Sequence, residues 1–503
     1  MKTIKYTLIA AAIAASHTGW AAVPIDTRAL REAVTLDGIQ THLQALQDIA
    51  NANGGTRAAS TPGYEQSVEY VASMLEAAGY VAEIQSFDFP YFMENSPAQL
   101  EQIAPDPRIY PYEAADGFYT MSYSGSGDVA APVQSVDLIL PPDAASSSTS
   151  GCEAADFAGF TPGNIALIQR GSCTFLLKAQ NAEAAGASGV VIFNEGQPGR
   201  TDAILGTLSE PSVNIPVVGA AYAVGEDLAV GGAQARLIVD AVSEVRTTKN
   251  VIAETQSGRN DRVVVVGAHL DSVSEGPGIQ DNGSGSAGIL EIALQMAALG
   301  TEPRNKVRFA WWGAEEAGLL GSQYYVDQLT PREIKNIALN LNFDMIASPN
   351  FVRFVYDGDG DATGAAGPNG SGNIEQVFLD YFTGQDLASD PTAFDGRSDY
   401  GPFIGVGIPA GGLFTGAEGI KSDDEAAIYG GTAGVAYDPC YHLACDTEDN
   451  FSFEALDEMS DAAAHAILTF AMTTSAVKGT DKGSDKAEKA AETLEYQGNK
   501  LRR

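Results

Sequence analysis

Two periods of hydrophobic residues alternate along the chain and divide it into segments of different character. Apolar residues recur at helical spacing over residues 36–52 and 62–79, and they alternate as in a strand over 81–89. From residue 105 to 245, short β-branched runs are separated by Gly, Ser and Pro, with one helical stretch at 178–187. The pattern therefore predicts helix, helix and strand, followed by a small β-rich module.

The segment 246–475 alternates strands with helices. Its strand candidates are TKNVIAET, DRVVVVGAH, KVRFAWWG, NIALNLNFD, FVRFVYD and GIPAGGLF, and its helices include SAGILEIALQMAAL and LGSQYYVDQL. This order favours an α/β fold, a mostly parallel mixed sheet with helices on both faces. The helices and strand of residues 22–104 are predicted to join that sheet domain, which makes residues 105–245 an insertion.

Both ends of the chain are predicted to lie outside the folded domains. Residues 1–21 place Lys2 and Lys5 before an apolar run of about nine residues, the layout of a secretory signal that is cleaved after Ala21. The alternative is a buried N-terminal helix. The run is too short to cross a bilayer, and no other segment is predicted to do so. Residues 476–503 are rich in lysine and predict a charged flexible tail.

The composition is typical of an exported globular protein. Hydrophobic residues make up 45% and charged residues 19% of the chain, so a packed core is expected. The net charge is -36, and removal of the two signal lysines makes it -38. Such a surface repels nucleic acid and anionic membranes, which excludes both as partners.

The four cysteines fit an oxidising compartment. Three pairings are possible, and we favour Cys152 with Cys173 and Cys440 with Cys445 because each pair lies within one predicted unit. A secreted or periplasmic protein is expected.

Residue types that bind metals stand at the ends of successive predicted strands. In chain order they are His269, Asp281, Glu315, Glu316, Asp344 and His442. Ligands gather at the carboxyl ends of strands in open α/β sheets. Imidazole and carboxylate suit zinc, and two neighbouring ions need a shared carboxylate. Each residue alone is more often structural, but their joint occurrence at strand ends indicates a metal site.

The motifs AHLDS, DNGSG, AEEAGLLGS, NFDM and YHLACD, in this order, resemble those of the M28 family of zinc exopeptidases, most closely the secreted bacterial aminopeptidases of the Streptomyces type. The resemblance covers residues 247–470 and includes GRSDYGPF and GGLFTGA. It implies two zinc ions for each chain. His269 and Asp344 would hold one ion, Glu316 and His442 the other, and Asp281 would bridge them.

The resemblance also implies roles for residues around the metals. Glu315 would be the general base for a water that bridges the ions, and Asp271 would orient the imidazole of the first histidine. Tyr441 would hydrogen-bond the developing oxyanion. Arg397 and Phe414 would shape the substrate pocket.

Two details of the resemblance concern the backbone and a departure from the family. It implies a cis peptide between Asp281 and Asn282. The family often has histidine where this chain has Tyr400, so we predict no role for that residue.

Residues 105–245 resemble a protease-associated (PA) domain through IALIQRGSCTF, KAQNAEAAGA and GVVIFNE. Related exopeptidases carry such a domain beside the catalytic sheet. Two interpretations stay open for it, a gate or binding surface for substrate and a stabilising appendage.

The acidic run DGDGDATG, residues 357–364, does not match a calcium-binding EF-hand loop. Ala362 stands where that loop needs glycine, and Pro368 stands where it needs glutamate. Calcium is not predicted here, although another calcium geometry stays open.

The expected function is hydrolysis of the N-terminal peptide bond of peptides and proteins that have a free N-terminus, by a monomer. A carboxypeptidase or dipeptidase is the first alternative, and it would need a cationic pocket for which Arg397 is the main candidate. A glutaminyl cyclase on the same scaffold is the second. The third is a binding protein without catalysis, which the complete set of ligand residues disfavours.

Overall fold

The computed structural model describes residues 25–477 except 144, 146 and 147. The predicted signal at 1–21 and all but the first two residues of the predicted tail lie outside the described residues. The α-helices are α1 (Arg28–Ala33), α2 (Leu36–Ala52), α3 (Pro62–Ala77), α4 (Phe175–Ala184), α5 (Tyr222–Leu228), α6 (Gly285–Ala298), α7 (Leu320–Asp327), α8 (Pro331–Asn336), α9 (Ser371–Gly384), α10 (Tyr400–Gly405), α11 (Asp423–Tyr429) and α12 (Phe453–Met472). None of these helices is both long and apolar enough to cross a bilayer.

The strands are β1 (Ala82–Ala104), β2 (Arg108–Ile109), β3 (Phe118–Thr120), β4 (Gly127–Val136), β5 (Ile165–Gln169), β6 (Gly189–Phe193), β7 (Val217–Ala220), β8 (Gln234–Glu254), β9 (Arg259–His269), β10 (Asn305–Trp312), β11 (Ile337–Phe343), β12 (Phe354–Tyr356), β13 (Asp390–Thr392) and β14 (Ala410–Phe414).

The strands form one continuous sheet of two parts, which are called the peptidase half and the PA half after the family resemblances of their sequences. The peptidase half has the order β13-β12-β14-β11-β9-β10-β8, and its central strands β14, β11, β9 and β10 are parallel. The PA half continues from β8 through β4, β5, β6 and β7 to β3. The predicted α/β fold, a mixed sheet that carries a β-rich module, is confirmed.

Helices cover both faces of the peptidase half. Along β10, Val307, Phe309 and Trp311 belong to the core under α2, α3, α6, α9 and α12, whereas Ala310 and Trp312 belong to the core under α7 and α10. This alternation is the period of two that a strand imposes. Burial of each large side chain of these cores stabilises the fold by about 1.5 to 3 kcal/mol.

The two helices predicted at the start of the chain are confirmed almost to the residue, and local capping explains their ends. The hydroxyl oxygen of Thr35 accepts a hydrogen bond from the amide of Gly38, and Thr61 does the same for Tyr64. Pro62 occupies the first turn of α3, where its missing N–H costs nothing.

The largest difference from the predicted elements is a two-stranded ribbon made by β1 and β8. The sequence predicts a strand over 81–89 and separate strands on either side of residue 245, but β1 and β8 pair antiparallel from Ala82 opposite Ala253 to Ala104 opposite Gln234. Most residues of β8 between 240 and 247 are at least partly exposed. With no buried face there, the strand lacks the apolar alternation that would have revealed it.

The PA half has its own core on each face of its sheet. Val190 and Ile192 of β6 pack on one side, and Val191 and Phe193 on the other. Both predicted disulfides, Cys152–Cys173 and Cys440–Cys445, are present. The first lies within this half.

The acidic loop at 357–364 is closed by its own hydrogen bonds. The carboxylate of Asp357 accepts the amides of Gly360, Ala362 and Thr363 and also the Thr363 hydroxyl. Asp361 and Glu375 bring further carboxylate oxygens within 4.8 Å. The hydrogen bonds to Asp357 account for the shape of the turn.

One pH-dependent contact joins the first and last helices. Nδ1 of His465 on α12 lies 2.9 Å from Oγ1 of Thr27, and burial together with the Arg31 charge lowers the pKa of His465 to about 4, against the opposing charge of Asp380. Between pH 6.5 and 4 the unfolded chain therefore binds a proton that the folded chain does not. Stability is lost as the pH falls through this window.

We predict that His465→Gln, which cannot titrate, removes this part of the pH dependence. The wild type should lose about 2 kcal/mol more than the variant between pH 7 and 4, a figure that allows for the partial exposure of the ring. Urea unfolding midpoints of both proteins across this range measure the difference. The two proteins share all other titrating groups, so any difference in how their stability changes with pH comes from His465. Equal changes in stability between pH 7 and 4 would contradict the prediction.

Candidate metal centre

The predicted metal ligands meet at the carboxyl edge of the peptidase half of the sheet. His269 ends β9, Asp344 follows β11, and Glu315 and Glu316 lie in the turn after β10. These three strands are parallel neighbours, so their carboxyl ends share one edge. The segment after β9 brings Asp281 back to the same edge, and the loop before α12 supplies the sixth residue, His442.

Asp281 lies between the two histidines. Its Oδ1 is 3.2 Å from Nε2 of His269, and its Oδ2 is 3.3 Å from Nε2 of His442. Asp344 Oδ1 lies 3.3 Å from the His269 nitrogen, and Glu316 Oε2 lies 3.1 Å from the His442 nitrogen. The arrangement consists of two half-sites that share one carboxylate. The peptide between Asp281 and Asn282 is cis.

The carboxylates of the cluster favour positive charge among them. Burial opposes protonation of His442, but Glu316 and Asp281 outweigh it and raise its pKa to about 11. Burial also opposes protonation of His269, yet Glu315 and Asp344 raise its pKa well above the usual range. Two imidazoles among buried carboxylates therefore gain a proton wherever no other cation is present.

The residues fit zinc. Two imidazole nitrogens and three carboxylates are a donor set that zinc prefers. Oε1 of Glu316 is buried and has no hydrogen-bond partner among the described residues. A buried carboxylate oxygen without a donor is costly, and a bound cation removes that cost.

Glu315 differs from the other carboxylates. Burial raises its pKa well above the usual range, against the charge of His269, and the charge of Glu316 adds to the increase. Its Oε2 lies 3.9 Å from Nε2 of His269, farther than the corresponding oxygens of Asp281 and Asp344. A buried carboxyl with a raised pKa, close to the cluster, is suited to take up and release a proton.

Asp271 lies beside His269, but its carboxylate is used mainly elsewhere. The nearest contact of His269 Nδ1 is the main-chain oxygen of Asp271 at 3.0 Å, whereas the carboxylate Oδ1 is 3.8 Å away. The carboxylate accepts the amides of Glu315 and Glu316 at 3.1 and 3.4 Å. Asp271 thus links the end of β9 to the turn that carries both glutamates.

Further residues that sequence reasoning missed hold the ligands in place. The two carboxylate oxygens of Asp446 accept the amides of Gln280 and Asp281, at 2.8 and 3.0 Å. The hydroxyl of Ser398 donates to Oδ2 of Asp344 at 2.6 Å. Both residues lie inside motifs already noted, DPCYHLACD and GRSDYGPF, so their motif context was the available signal.

The role of Arg57 was also missed, because no motif near this residue in the sequence indicates it. Its guanidinium is fully buried and donates to the main-chain oxygens of Leu270, Pro277 and Gly278. Those residues bracket the loop between His269 and Asp281. One side chain from the N-terminal segment therefore fixes the loop that brings these two ligands together.

Tyr441 and Arg397 lie together beside the cluster. The Tyr441 ring stacks on His442 with centroids 3.9 Å apart, and its hydroxyl accepts from Arg397 at 3.4 Å. Arg397 also donates to Glu418 at 2.8 Å. The Tyr441 oxygen is the acceptor of this bond, so the bond does not use the Tyr441 hydroxyl proton.

The cluster opens into a cavity of about 330 Å³. The peptidase half contributes the cluster, Arg397, Tyr441 and Phe414 to its lining, and the ribbon and PA half contribute Glu94, among others. Among the described residues that line it, Arg397 is the one lysine or arginine. The predicted pocket residues Arg397 and Phe414 thus both lie in the cavity that contains the cluster.

Comparison with known proteins agrees with this arrangement. Residues 250–467 match the model of peptidase family M28, and residues 133–228 match that of the PA domain. An aminopeptidase of Pseudomonas aeruginosa is 50% identical over 440 residues, which cover 86% of this chain and 81% of the relative. A leucine aminopeptidase 2 of Trichophyton tonsurans is 39% identical over 461 residues, covering 90% and 88%.

Solved structures give the same result for the fold. The aminopeptidase from Aneurinibacillus sp. strain AM-1 is similar with a TM-score of 0.62 and 26% identity, over 88% of this chain and 95% of that one. A zinc aminopeptidase from Bacillus subtilis has a TM-score of 0.53 and 26% identity, over 85% and 94%. The protein therefore belongs to peptidase family M28 and is a zinc metallopeptidase with an inserted PA domain.

Proposed function

We propose that the protein is a secreted di-zinc aminopeptidase that removes N-terminal residues from peptides and proteins. The observation that carries this proposal is the position of Asp281, whose two carboxylate oxygens each face a different histidine. Relatives that cover most of the chain are named aminopeptidases, which supports the same activity.

The site residues divide into two sets around Asp281. His269 and Asp344 would hold one zinc ion, Glu316 and His442 the other, and Asp281 both. When bound, the ions supply Lewis acidity that polarises the substrate carbonyl and makes a water molecule more acidic. The side chains around them carry out the remaining tasks of the reaction.

Glu315 moves the proton. Its carboxylate takes a proton from the attacking water as the water oxygen bonds to the scissile carbonyl carbon. It then gives that proton to the leaving nitrogen as the carbon–nitrogen bond breaks. One carboxyl group thereby serves both steps and ends in its starting state.

Tyr441 stabilises the charge that develops on the carbonyl oxygen. Its hydroxyl receives a hydrogen bond from Arg397 and keeps its own proton for this oxygen. Phe414 lines the cavity at the end of β14, next to the end of β11, and offers an apolar wall to the first side chain of the substrate.

The charge of the cavity favours an aminopeptidase over a carboxypeptidase. A free substrate carboxylate needs a cationic partner, but Arg397 is already bound to Glu418. A free substrate amine is attracted by the surrounding carboxylates. N-terminal recognition therefore suits this cavity better.

The cellular setting and domain division complete the proposal. The two disulfides support export to an oxidising compartment, the medium or the bacterial periplasm. We propose that residues 22–104 and 246–475 act as the peptidase domain and that 105–245 act as the PA domain. We also propose that the chain works as a monomer.

Replacement of the proposed general base tests the mechanism. We expect Glu315→Gln to lower kcat by about 10²- to 10⁴-fold while two zinc ions stay bound, because the amide keeps the shape of the side chain but cannot take a proton. Peptide hydrolysis and metal analysis measure the two effects. Glu302→Gln, in the segment between α6 and β10 and exposed, is the control for loss of one carboxylate. Wild-type kcat in the Glu315 variant would refute the assignment.

Blocked peptides test which end of the substrate is recognised. We expect Leu-Ala-Ala and its C-terminal amide to release leucine at similar rates, and N-acetyl-Leu-Ala-Ala to react at least about 100-fold more slowly, since acetylation removes the ammonium charge. A chelator should abolish release, and added zinc should restore it. Chromatography of the products decides the question. Shortening of the acetylated peptide from its C-terminus would establish a carboxypeptidase instead.

A further inference from the structure

The cavity extends from the metal cluster to the ribbon and the PA half. The ribbon begins against the turn that carries Glu315 and Glu316, where Phe87 and Phe89 pack on Ala314 and Ala317. Farther along the same strand, Glu94 lines the cavity. The part of the cavity wall that the ribbon forms therefore adjoins the turn that carries Glu315 and Glu316.

Glu94 is held rigidly by two hydroxyl groups of the PA half. Tyr112 donates to Oε2 of Glu94 and Thr120 donates to Oε1, both at 2.6 Å. Tyr112 and Thr120 also line the cavity. Short hydrogen bonds from hydroxyl donors to both oxygens fix the orientation of the carboxylate before any ligand arrives.

No lysine, arginine or histidine of the described residues lies within ion-pair distance of Glu94. Other negative groups, Glu113 and Glu275, stand on the same cavity, and the arginine that lines it is engaged by Glu418. The carboxylate thus lacks a counter-cation in a cavity that a substrate would fill. A cation from the substrate supplies the missing partner.

We propose that Glu94 is a specificity-determining residue that binds a lysine or arginine side chain of the peptide substrate, downstream of the scissile bond. The inference rests on the proposed aminopeptidase function. The first substrate residue occupies the end of the cavity with the metal ligands and Phe414. The ribbon and PA wall are left for the residues that follow it, and Tyr112 beside Glu94 adds an aromatic surface for their aliphatic stems.

A lysine scan tests this inference on the complete zinc-loaded protein. The substrates are hexapeptides that begin with leucine and carry one lysine, norleucine or glutamate at positions two to six in a background of alanine. For the wild type we expect kcat/KM to be three- to tenfold higher for lysine than for norleucine at one or two positions, and lowest for glutamate. Added salt at 0.5 M should shrink this preference.

Glu94→Gln should abolish the ratio of lysine to norleucine at those positions, because the amide keeps the size of the side chain and loses its charge. Glu83→Gln is the matched control, since Glu83 lies exposed on the same strand and outside the cavity lining. That variant should keep the wild-type ratio. Thermal unfolding and zinc content of both variants verify that the folds are equivalent.

The outcomes separate this inference from the function on which it rests. Equal kcat/KM for lysine and norleucine at every position in the wild type would overturn the inference and leave the aminopeptidase intact. If Glu94→Gln lowers kcat/KM for all peptides by the same factor, Glu94 has only a structural role between the ribbon and the PA half. That result would also overturn the inference. Failure of the wild type to release leucine from any peptide would refute the proposed function itself.

Discussion

The carboxylates at the carboxyl edge of the sheet can be buried together only if positive charge lies among them. Asp281, Glu315, Glu316 and Asp344 converge on two imidazoles, and like charges at this distance repel strongly in a medium with little water. The same carboxylates raise the pKa of both histidines, because they favour a positive charge on each imidazole. The cluster is therefore stable as a cation site, and the surrounding structure serves to keep these groups together against their repulsion.

Two kinds of support meet that requirement. The sheet fixes the strand ends by register: His269 lies opposite Trp312 on β10, and β11 runs parallel on the other side of β9. The loops that follow those strand ends are fixed by buried polar side chains. Arg57 holds the segment after His269, and Asp446 accepts the backbone amide of Asp281. Strands alone place only part of the ligand set, because Asp281 and His442 come from irregular segments.

This division explains what the sequence could predict. The candidate ligands stand out because imidazole and carboxylate at strand ends are chemically distinctive, and helices such as α2 are recognisable because one face is buried. Arg57 could not be foreseen, because its role depends on carbonyl oxygens more than 200 residues away. The sequence could not show which groups the Asp271 carboxylate contacts, since its two backbone amide partners lie 3.1 and 3.4 Å away and the imidazole nitrogen 3.8 Å away. The β1–β8 ribbon was missed because half-exposed strands carry no clear periodicity.

The ribbon also explains why the PA half faces the metal cluster. β8 pairs antiparallel with β10, so that Val251 lies opposite Trp311 at the carboxyl end of β10. The residues of β8 that precede Val251 therefore continue past the edge where the ligands gather, and β1 accompanies them to Gln234. Because the ribbon connects the PA half to the peptidase half, the PA half lies beyond the carboxyl edge of the peptidase strands. The topology thus makes the PA half a wall of the cavity, and side chains of the ribbon and of that half can contact the substrate without any change in the peptidase core.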